Sequence, residues 1–240
     1  MAKERVTVCL PPCEPGDVVQ AITAAMAPFD YNRDPAVGDP DVETWWDYWR
    51  IDGGGCEFLV VPGYEDDPRL IRGAETLSGE PRNVPPTLCD GGPRALLDLE
   101  TPRAQEAVRA RQAFEAWQDF SVAYPPTRPS SDFWARHFAD PENYLQARAV
   151  EDYRTQPAVV ALGNDPELRE LVGGDPAARL TGDVERYVRA IADAVLPSNA
   201  LLTLDGRWLD VANGERRQYF TDCLVGLPAD AYAVRVLYHG

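Results

Sequence analysis

The sequence predicts an α+β protein, built as a ferredoxin-like (split βαβ) antiparallel sheet with a large helical insertion. Alternating apolar and polar residues near both ends of the chain indicate strands, and each end also contains one helix-type pattern. The middle of the chain carries repeated helix-start signals instead. We therefore expect one discontinuous sheet domain, residues 1–61 and 198–240, and a loop-rich and helical insertion, residues 62–197.

The N-terminal part of this sheet begins with a strand and a helix. Residues 5–10 alternate valine and leucine with polar neighbours up to Pro11, where a strand must end. Asp17, followed three residues later by Gln20, is typical of a capped helix start. The apolar residues of that helix recur at a spacing of four, which predicts one buried face made of Val18, Ile22 and Met26.

A hairpin is predicted next. Residues 44–51 are rich in tryptophan and tyrosine, residues 57–61 are β-branched or aromatic, and residues 53–55 between them are three glycines. Residues 62–93 are rich in glycine, proline and acidic residues without steady periodicity, which favours an irregular surface excursion.

Helix signals dominate the middle of the chain. Thr101-Pro102, Asp140-Pro141 and Asp165-Pro166 each place a capping residue before a proline at the first helical position. The clearest helix covers residues 182–195, where the apolar residues form one stripe and the charged residues face away.

The C-terminal part returns to strands. Residues 201–204 and 207–211 flank Asp205-Gly206, a pair that favours a tight hairpin turn with Gly206 at positive φ. A helix around residues 219–224 follows, and residues 231–238 alternate as a last strand. This strand, strand, helix, strand order mirrors the N-terminal order, so we expect both parts to share one sheet.

Composition restricts the possible partners and location. Lys and Arg total 23 against 39 Asp and Glu, a net charge of -16 that opposes general nucleic-acid binding. No stretch approaches the ~18 apolar residues of a membrane span, and the start MAKERVTVCL lacks the apolar core of a signal peptide. The 5 cysteines are widely spaced, as expected of reduced thiols. These features predict a cytoplasmic protein that does not bind membranes.

Complete catalytic motifs are missing. The glycines at 53–55 lack a following Lys-Ser/Thr, and the only histidines available to a catalytic triad are His137 and His239. Cys9 and Cys13 have a gap that zinc can use, but the chain has no second pair of matching spacing. The sequence therefore predicts neither a cofactor nor a metal.

The segment from residue 45 to residue 52 is the candidate binding site. Four aromatic residues in one strand cannot all point into one core face. A first hypothesis is a non-catalytic binding or accessory protein, whose aromatic strand and glycine turn form a pocket for an unknown protein or small molecule. Arg50 would supply a planar donor fork for a carboxylate or phosphate. The predicted ligand-binding residues are Trp46, Trp49, Arg50, Asp52, Gly54 and His239. Alternatively, the helical insertion covers the aromatic residues.

A second hypothesis is a metal-dependent hydrolase. Asp47, Asp52 and Asp98, with His239, could gather around a divalent ion, because oxygen ligands need no Cys or His spacing. Asp98 has another interpretation as a capping or hydrogen-bonded carboxylate.

Several blocks resemble a family of actinobacterial and phage proteins with no established activity. These blocks are PFDYN at 28–32, WDYWRI at 46–51 with its glycines, LDGRW at 204–208, and the closing strand with His239. The family pattern has an arginine after the glycines, whereas this chain has Asp52 before them and no arginine after them. The resemblance implies the sheet fold and a phage or mobile-element type of protein, and it implies no reaction.

Overall fold

A computed structural model describes residues 3–33, 43–75, 79–211 and 214–240. The chain divides into two compact units, the first comprising Met1–Arg103 and Asp193–Gly240 and the second Ala104–Ala192. Strands and helices are both abundant, so the predicted α+β class is confirmed.

The elements are numbered in chain order. The strands are β1 (Lys3–Leu10), β2 (Tyr48–Ile51), β3 (Phe58–Val60), β4 (Leu88–Cys89), β5 (Gly91–Pro93), β6 (Leu97–Asp98), β7 (Ala200–Leu202), β8 (Trp208–Asp210) and β9 (Tyr232–His239). The helices are α1 (Val18–Met26), α2 (Glu100–Ser121), α3 (Ser130–Ala139), α4 (Gln146–Arg154), α5 (Pro157–Gly163), α6 (Pro166–Val172), α7 (Pro176–Arg179), α8 (Val184–Asp193) and α9 (Gly214–Val225).

One sheet contains strands from both ends of the chain, as predicted. Its order is β2-β9-β1-β7-β8. β9 is antiparallel to β1 over its whole length, from Lys3 opposite His239 to Leu10 opposite Tyr232. On its other side β9 pairs with β5 in its first half and with β2 in its second half. β9 is therefore the strand around which the sheet is organised.

The ferredoxin-like antiparallel topology is not confirmed, because the sheet is mixed. β1 and β7 are parallel neighbours, with Val6 opposite Ala200 and Val8 opposite Leu202. In a split βαβ arrangement another strand separates the two parallel strands. Here β7 pairs directly with β1, and its hairpin partner β8 takes the outer position.

The predicted hairpin across the three glycines is wrong. β2 pairs with β9, whereas β3 pairs with β4 and β6 in a separate three-stranded sheet. The reason is hydrophobic burial. Phe58 and Val60 of β3 pack in a core with Cys9 and Ala233, on one face of the large sheet. The glycine segment therefore carries the chain from the edge of the large sheet onto its face.

The insertion was predicted to begin at residue 62, whereas the second compact unit begins at Ala104. The first unit extends to Arg103 because β5 pairs with β9, and because Leu97 and Leu99 join the core that contains Leu201. The compact helical unit covers residues 104–192, rather than the whole of 62–197.

Two hydrophobic cores cover the two faces of the large sheet. On one face, α1 packs against the alternating residues of β1 and β9 with the predicted side chains Val18, Ile22 and Met26. On the opposite face, α9 contributes Phe220 and Leu224, which pack with the small sheet. Both cores lie within the first unit.

The second unit is helical. Its core contains Phe114, Trp117, Leu162, Val172 and Leu180. The predicted start at Asp165-Pro166 is confirmed, since the Asp165 carboxylate accepts a hydrogen bond of 2.9 Å from the Leu168 backbone N–H at the start of α6. The helix predicted over 182–195 is α8, whereas the residues after Asp140 form a turn.

The predicted turn between β7 and β8 has Gly206 at φ 77°. Gly206→Val is therefore expected to lower the free energy of unfolding by about 1–2 kcal/mol, because an L-residue is strained in this region. Asp205→Asn serves as the control and is expected to change stability little, because its ion pair with Arg207 is exposed. Urea unfolding of both variants tests this, and equal midpoints for the valine variant and the parent contradict it.

Candidate functional site

Three polar side chains form one row across the large sheet. Lys3 on β1 and Tyr48 on β2 are both direct register partners of His239 on β9. Residues that lie opposite one another on neighbouring strands point to the same face of a sheet. Lys3, His239 and Tyr48 therefore lie side by side on one face.

The adjacent row adds two arginines. Arg5 on β1 and Arg50 on β2 are both opposite Leu237 of β9. Since alternate residues along a strand share a face, this row lies on the same face as the first. We call Lys3, Arg5, Arg50 and His239 together the basic face.

A pocket of about 500 Å³ opens on the basic face. It is lined by Lys3, Asn32, Asp47, Tyr48, Arg50, Leu237, Tyr238 and His239. The volume lies within the range of roughly 300–1,000 Å³ that is usual for small-molecule sites.

Two of the basic groups have carboxylate partners. His239 Nδ1 lies 2.7 Å from Asp47 Oδ1, and the Asp47 backbone N–H also donates to the His239 carbonyl at 3.0 Å. Arg50 Nη2 donates to Asp52 in a part-buried ion pair. The two contacts hold the imidazole and the guanidinium in fixed positions beside the pocket.

The other two basic groups are unpaired. Within the ranges that the structure describes, the Lys3 ammonium and the Arg5 guanidinium have no acidic partner. Arg5 Nε is buried and also lacks a hydrogen-bond acceptor. Lys3 is exposed to solvent. Lys3 lines the pocket, so its charge is available to an anion that enters it, whereas Arg5 is not part of the pocket lining.

Gly54 packs directly against Arg5. A Cβ atom at Gly54 would overlap the Arg5 guanidinium, and Gly54 also has φ +49°, which favours glycine. The Gly54 backbone therefore lies in close contact with a basic side chain of the same protein.

The glycine segment is anchored at both ends. The buried Asp90 carboxylate accepts from the Gly53 N–H at 2.6 Å, and Arg235 Nε donates to the Cys56 carbonyl at 3.1 Å. Asp90 also accepts from the Gly73 N–H at 2.5 Å and from Arg82 Nη1 at 2.7 Å. This network fixes the position of the backbone that contacts Arg5.

The predicted aromatic residues divide between the two faces. Trp46 is 8% exposed, and its Nε1 donates to the Met26 carbonyl at 3.0 Å. Trp49 packs against the same core, so both tryptophans lie with α1 rather than in the pocket. They are covered by the first unit's own helix, not by the helical insertion as the alternative interpretation expected. Tyr48, which lines the pocket, remains 56% exposed.

The predicted site residues therefore have different positions. Arg50 and His239 line the pocket, Asp52 pairs with Arg50, and Gly54 contacts Arg5. Lys3, which lines the pocket, and Arg5, which contacts Gly54, were not among the predicted site residues. Their positions in an alternating strand indicate that they share a face, but that pattern does not identify the strand beside them.

The carboxylates of the metal hypothesis do not converge. Asp47 pairs with His239 and Asp52 with Arg50, whereas Asp98 lies in the small sheet. Asp98 Oδ1 accepts from the backbone N–H groups of Glu100 and Thr101 at the start of α2. Burial acts to raise the pKa of Asp98, but these hydrogen bonds outweigh it and lower the pKa. In the described part of the chain, no three His, Cys, Asp or Glu residues are grouped to hold a metal.

A second pocket of about 520 Å³ lies elsewhere in the first unit. Its polar lining includes Glu4, Cys56, Asp210 and Arg217. Two carboxylates beside one guanidinium make this pocket less favourable for an anion than the basic face.

The cysteines differ sharply in accessibility, which gives a test of the packing. Burial raises the pKa of both Cys9 and Cys89 to about 12, whereas Cys56 is exposed. At pH 8 we expect iodoacetamide to label Cys56 fastest and to leave Cys9 and Cys89 unmodified until the protein unfolds, because the thiolate is the reactive form. Peptide mass spectrometry over time measures the order, and early labelling of Cys9 contradicts the packing of β1.

Comparisons with protein-family models, curated proteins and solved structures gave no match for this chain. The resemblance to the actinobacterial and phage family stays a prediction. Among the residues that the structure describes, no helix has both the length and the apolar character needed to cross a membrane.

Proposed function

We propose that this protein is a non-catalytic binding or accessory protein that binds a small anionic ligand, a phosphate or carboxylate compound, in the pocket on the basic face. The observation that carries the proposal is the Lys3 ammonium, which lines that pocket near Arg50 and has no acidic partner among the described residues.

The chemistry of these side chains favours an anion. Lysine offers a mobile point charge, and arginine offers a planar fork that matches carboxylate and phosphate oxygens. The net charge of -16 opposes this weakly, because exposed charges are screened over about 8 Å at physiological ionic strength. A small ligand inside the pocket therefore responds mainly to the cations beside it.

Calorimetric titration with phosphate, pyrophosphate and citrate tests the proposal. We expect at least one of these anions to bind, and Lys3→Gln to raise its dissociation constant on the order of tenfold, the size expected for one charged hydrogen bond. The binding should also weaken as sodium chloride is added.

The matched control is Arg217→Gln, which removes one exposed positive charge from the lining of the second pocket. It should leave the affinity unchanged. Failure of all three anions to bind, or equal losses in the Lys3 and Arg217 variants, contradicts the proposal.

The hydrolase alternative gains no support from the positions of Asp47, Asp52 and Asp98, so we do not propose it. We also propose that the protein is cytoplasmic, from its sequence, and of phage or mobile-element type, from the family resemblance.

A further inference from the structure

We infer that the occupant of the pocket is a nucleoside monophosphate, with its phosphate beside Lys3 and Arg50 and its base on the ring of Tyr48. This inference rests on the proposed anion site and names its ligand class. The observation behind it is the exposure of Tyr48, which is 56% exposed at the edge of the pocket, although Trp46 in the same segment is buried.

Tyr48 and His239 provide two flat rings on the same face. They are direct register partners, and both line the pocket. Exposed aromatic side chains on a sheet face are a common platform for stacking bases, and stacking accepts any base because each has a π-face. Without a ligand, the exposed Tyr48 ring contributes little to the stability of the protein.

The spacing between the rings and the cations suits a nucleotide. Tyr48 and Arg50 are two residues apart on one face of β2, a separation of about 7 Å along the strand. A phosphate bound at Arg50 can therefore be joined through one sugar to a base on Tyr48. Asn32 and Asp47 also line the pocket and supply hydrogen-bonding groups for the edge of a base.

The charge of the protein selects a mononucleotide rather than a polymer. A long phosphate backbone would extend past the basic face and meet a chain of net charge -16. A single nucleotide can place its negative charge beside Lys3 and Arg50, the lysine and the arginine that line the pocket. The pocket of about 500 Å³ is also of a suitable size for one nucleotide.

The experiment compares AMP with ribose 5-phosphate, which has the same phosphate and sugar but no base. Calorimetry on the full chain should show AMP binding on the order of tenfold more tightly, a gain typical of stacking on one aromatic side chain. Tyr48→Leu should remove this preference, so that AMP and ribose 5-phosphate bind this variant with similar affinities. Tyr48→Phe keeps the ring and should keep the preference.

The outcomes separate this inference from the proposed function. Equal affinities for AMP and ribose 5-phosphate, or a preference for AMP that survives Tyr48→Leu, overturn the nucleotide inference while the anion site stands. Failure of both compounds, together with phosphate, pyrophosphate and citrate, overturns the anion site as well. Repeating the titration with GMP, CMP and UMP should give affinities within about tenfold of AMP, because stacking is tolerant of base identity.

Discussion

Replacing Asp90 by alanine is expected to lower the free energy of unfolding by about 3–5 kcal/mol, the cost of removing one partner from a buried ion pair. Asp90 is 0% exposed and accepts hydrogen bonds from Gly53, Gly73 and Arg82. Alanine would leave the Arg82 guanidinium short of its partner and two backbone N–H groups without acceptors. Urea unfolding at neutral pH measures the loss.

Asp66→Ala is the control for this prediction. It removes an exposed carboxylate from the same irregular segment and should shift stability by less than about 0.5 kcal/mol. A second readout is ligand affinity, because Asp90 holds the glycine segment that contacts Arg5. Comparable midpoints for the Asp90 and Asp66 variants would show that Asp90 is not the anchor that its hydrogen bonds indicate.

Replacing Trp46 by alanine is expected to lower the free energy of unfolding by about 3–5 kcal/mol, because removing a buried indole leaves a large cavity. Trp46 is 8% exposed in the core with α1, and it donates a hydrogen bond to the Met26 carbonyl. Trp46→Phe keeps most of the apolar surface and loses the hydrogen bond, so its cost should be smaller. The difference between the two variants separates packing from hydrogen bonding.

Tyr48→Ala provides the contrast on the same segment. Its side chain is 56% exposed, so its removal should change stability by no more than about 0.5 kcal/mol. Thermal and urea unfolding should therefore give a much lower midpoint for Trp46→Ala than for Trp46→Phe or Tyr48→Ala. Equal losses for the Trp46 and Tyr48 alanine variants would contradict the assignment of these rings to opposite faces.

Local patterns predicted the local features of the fold. The apolar spacing of Val18, Ile22 and Met26 gave the buried face of α1, because helical periodicity depends only on the helix itself. Asp165 before Pro166 gave the start of α6, and Asp205-Gly206 gave the turn between β7 and β8. Each of these signals lies within a few residues of the structure it produces.

Strand pairing could not be predicted in the same way. The aromatic alternation of residues 44–51 is compatible with a hairpin to residues 57–61 or with a place beside β9, since both arrangements give the strand the same two faces. The parallel neighbours β1 and β7 are separated by nearly 190 residues, so sequence proximity carries no information about their contact. The burial of Phe58 and Val60 against the sheet face decided the outcome.

The site was predictable only in part for the same reason. Arg50 and His239 were selected by their chemistry, and both line the pocket. Lys3 becomes part of the candidate site only because β1 lies beside β9, a pairing between residues more than 220 positions apart. A surface built from three strands that are distant in sequence has no contiguous motif.

The position of β9 also has a consequence for synthesis on the ribosome. β1 is synthesised more than 220 residues before its antiparallel partner, residues 232–239. The backbone N–H and C=O groups of β1 and β2 that pair with β9 therefore remain unpaired until the helical segment and β9 have been translated. The second unit, whose contacts lie within residues 104–192, can fold first. The large sheet has a high contact order and should form slowly, and chaperones that mask unpaired strands should increase its yield during rapid expression.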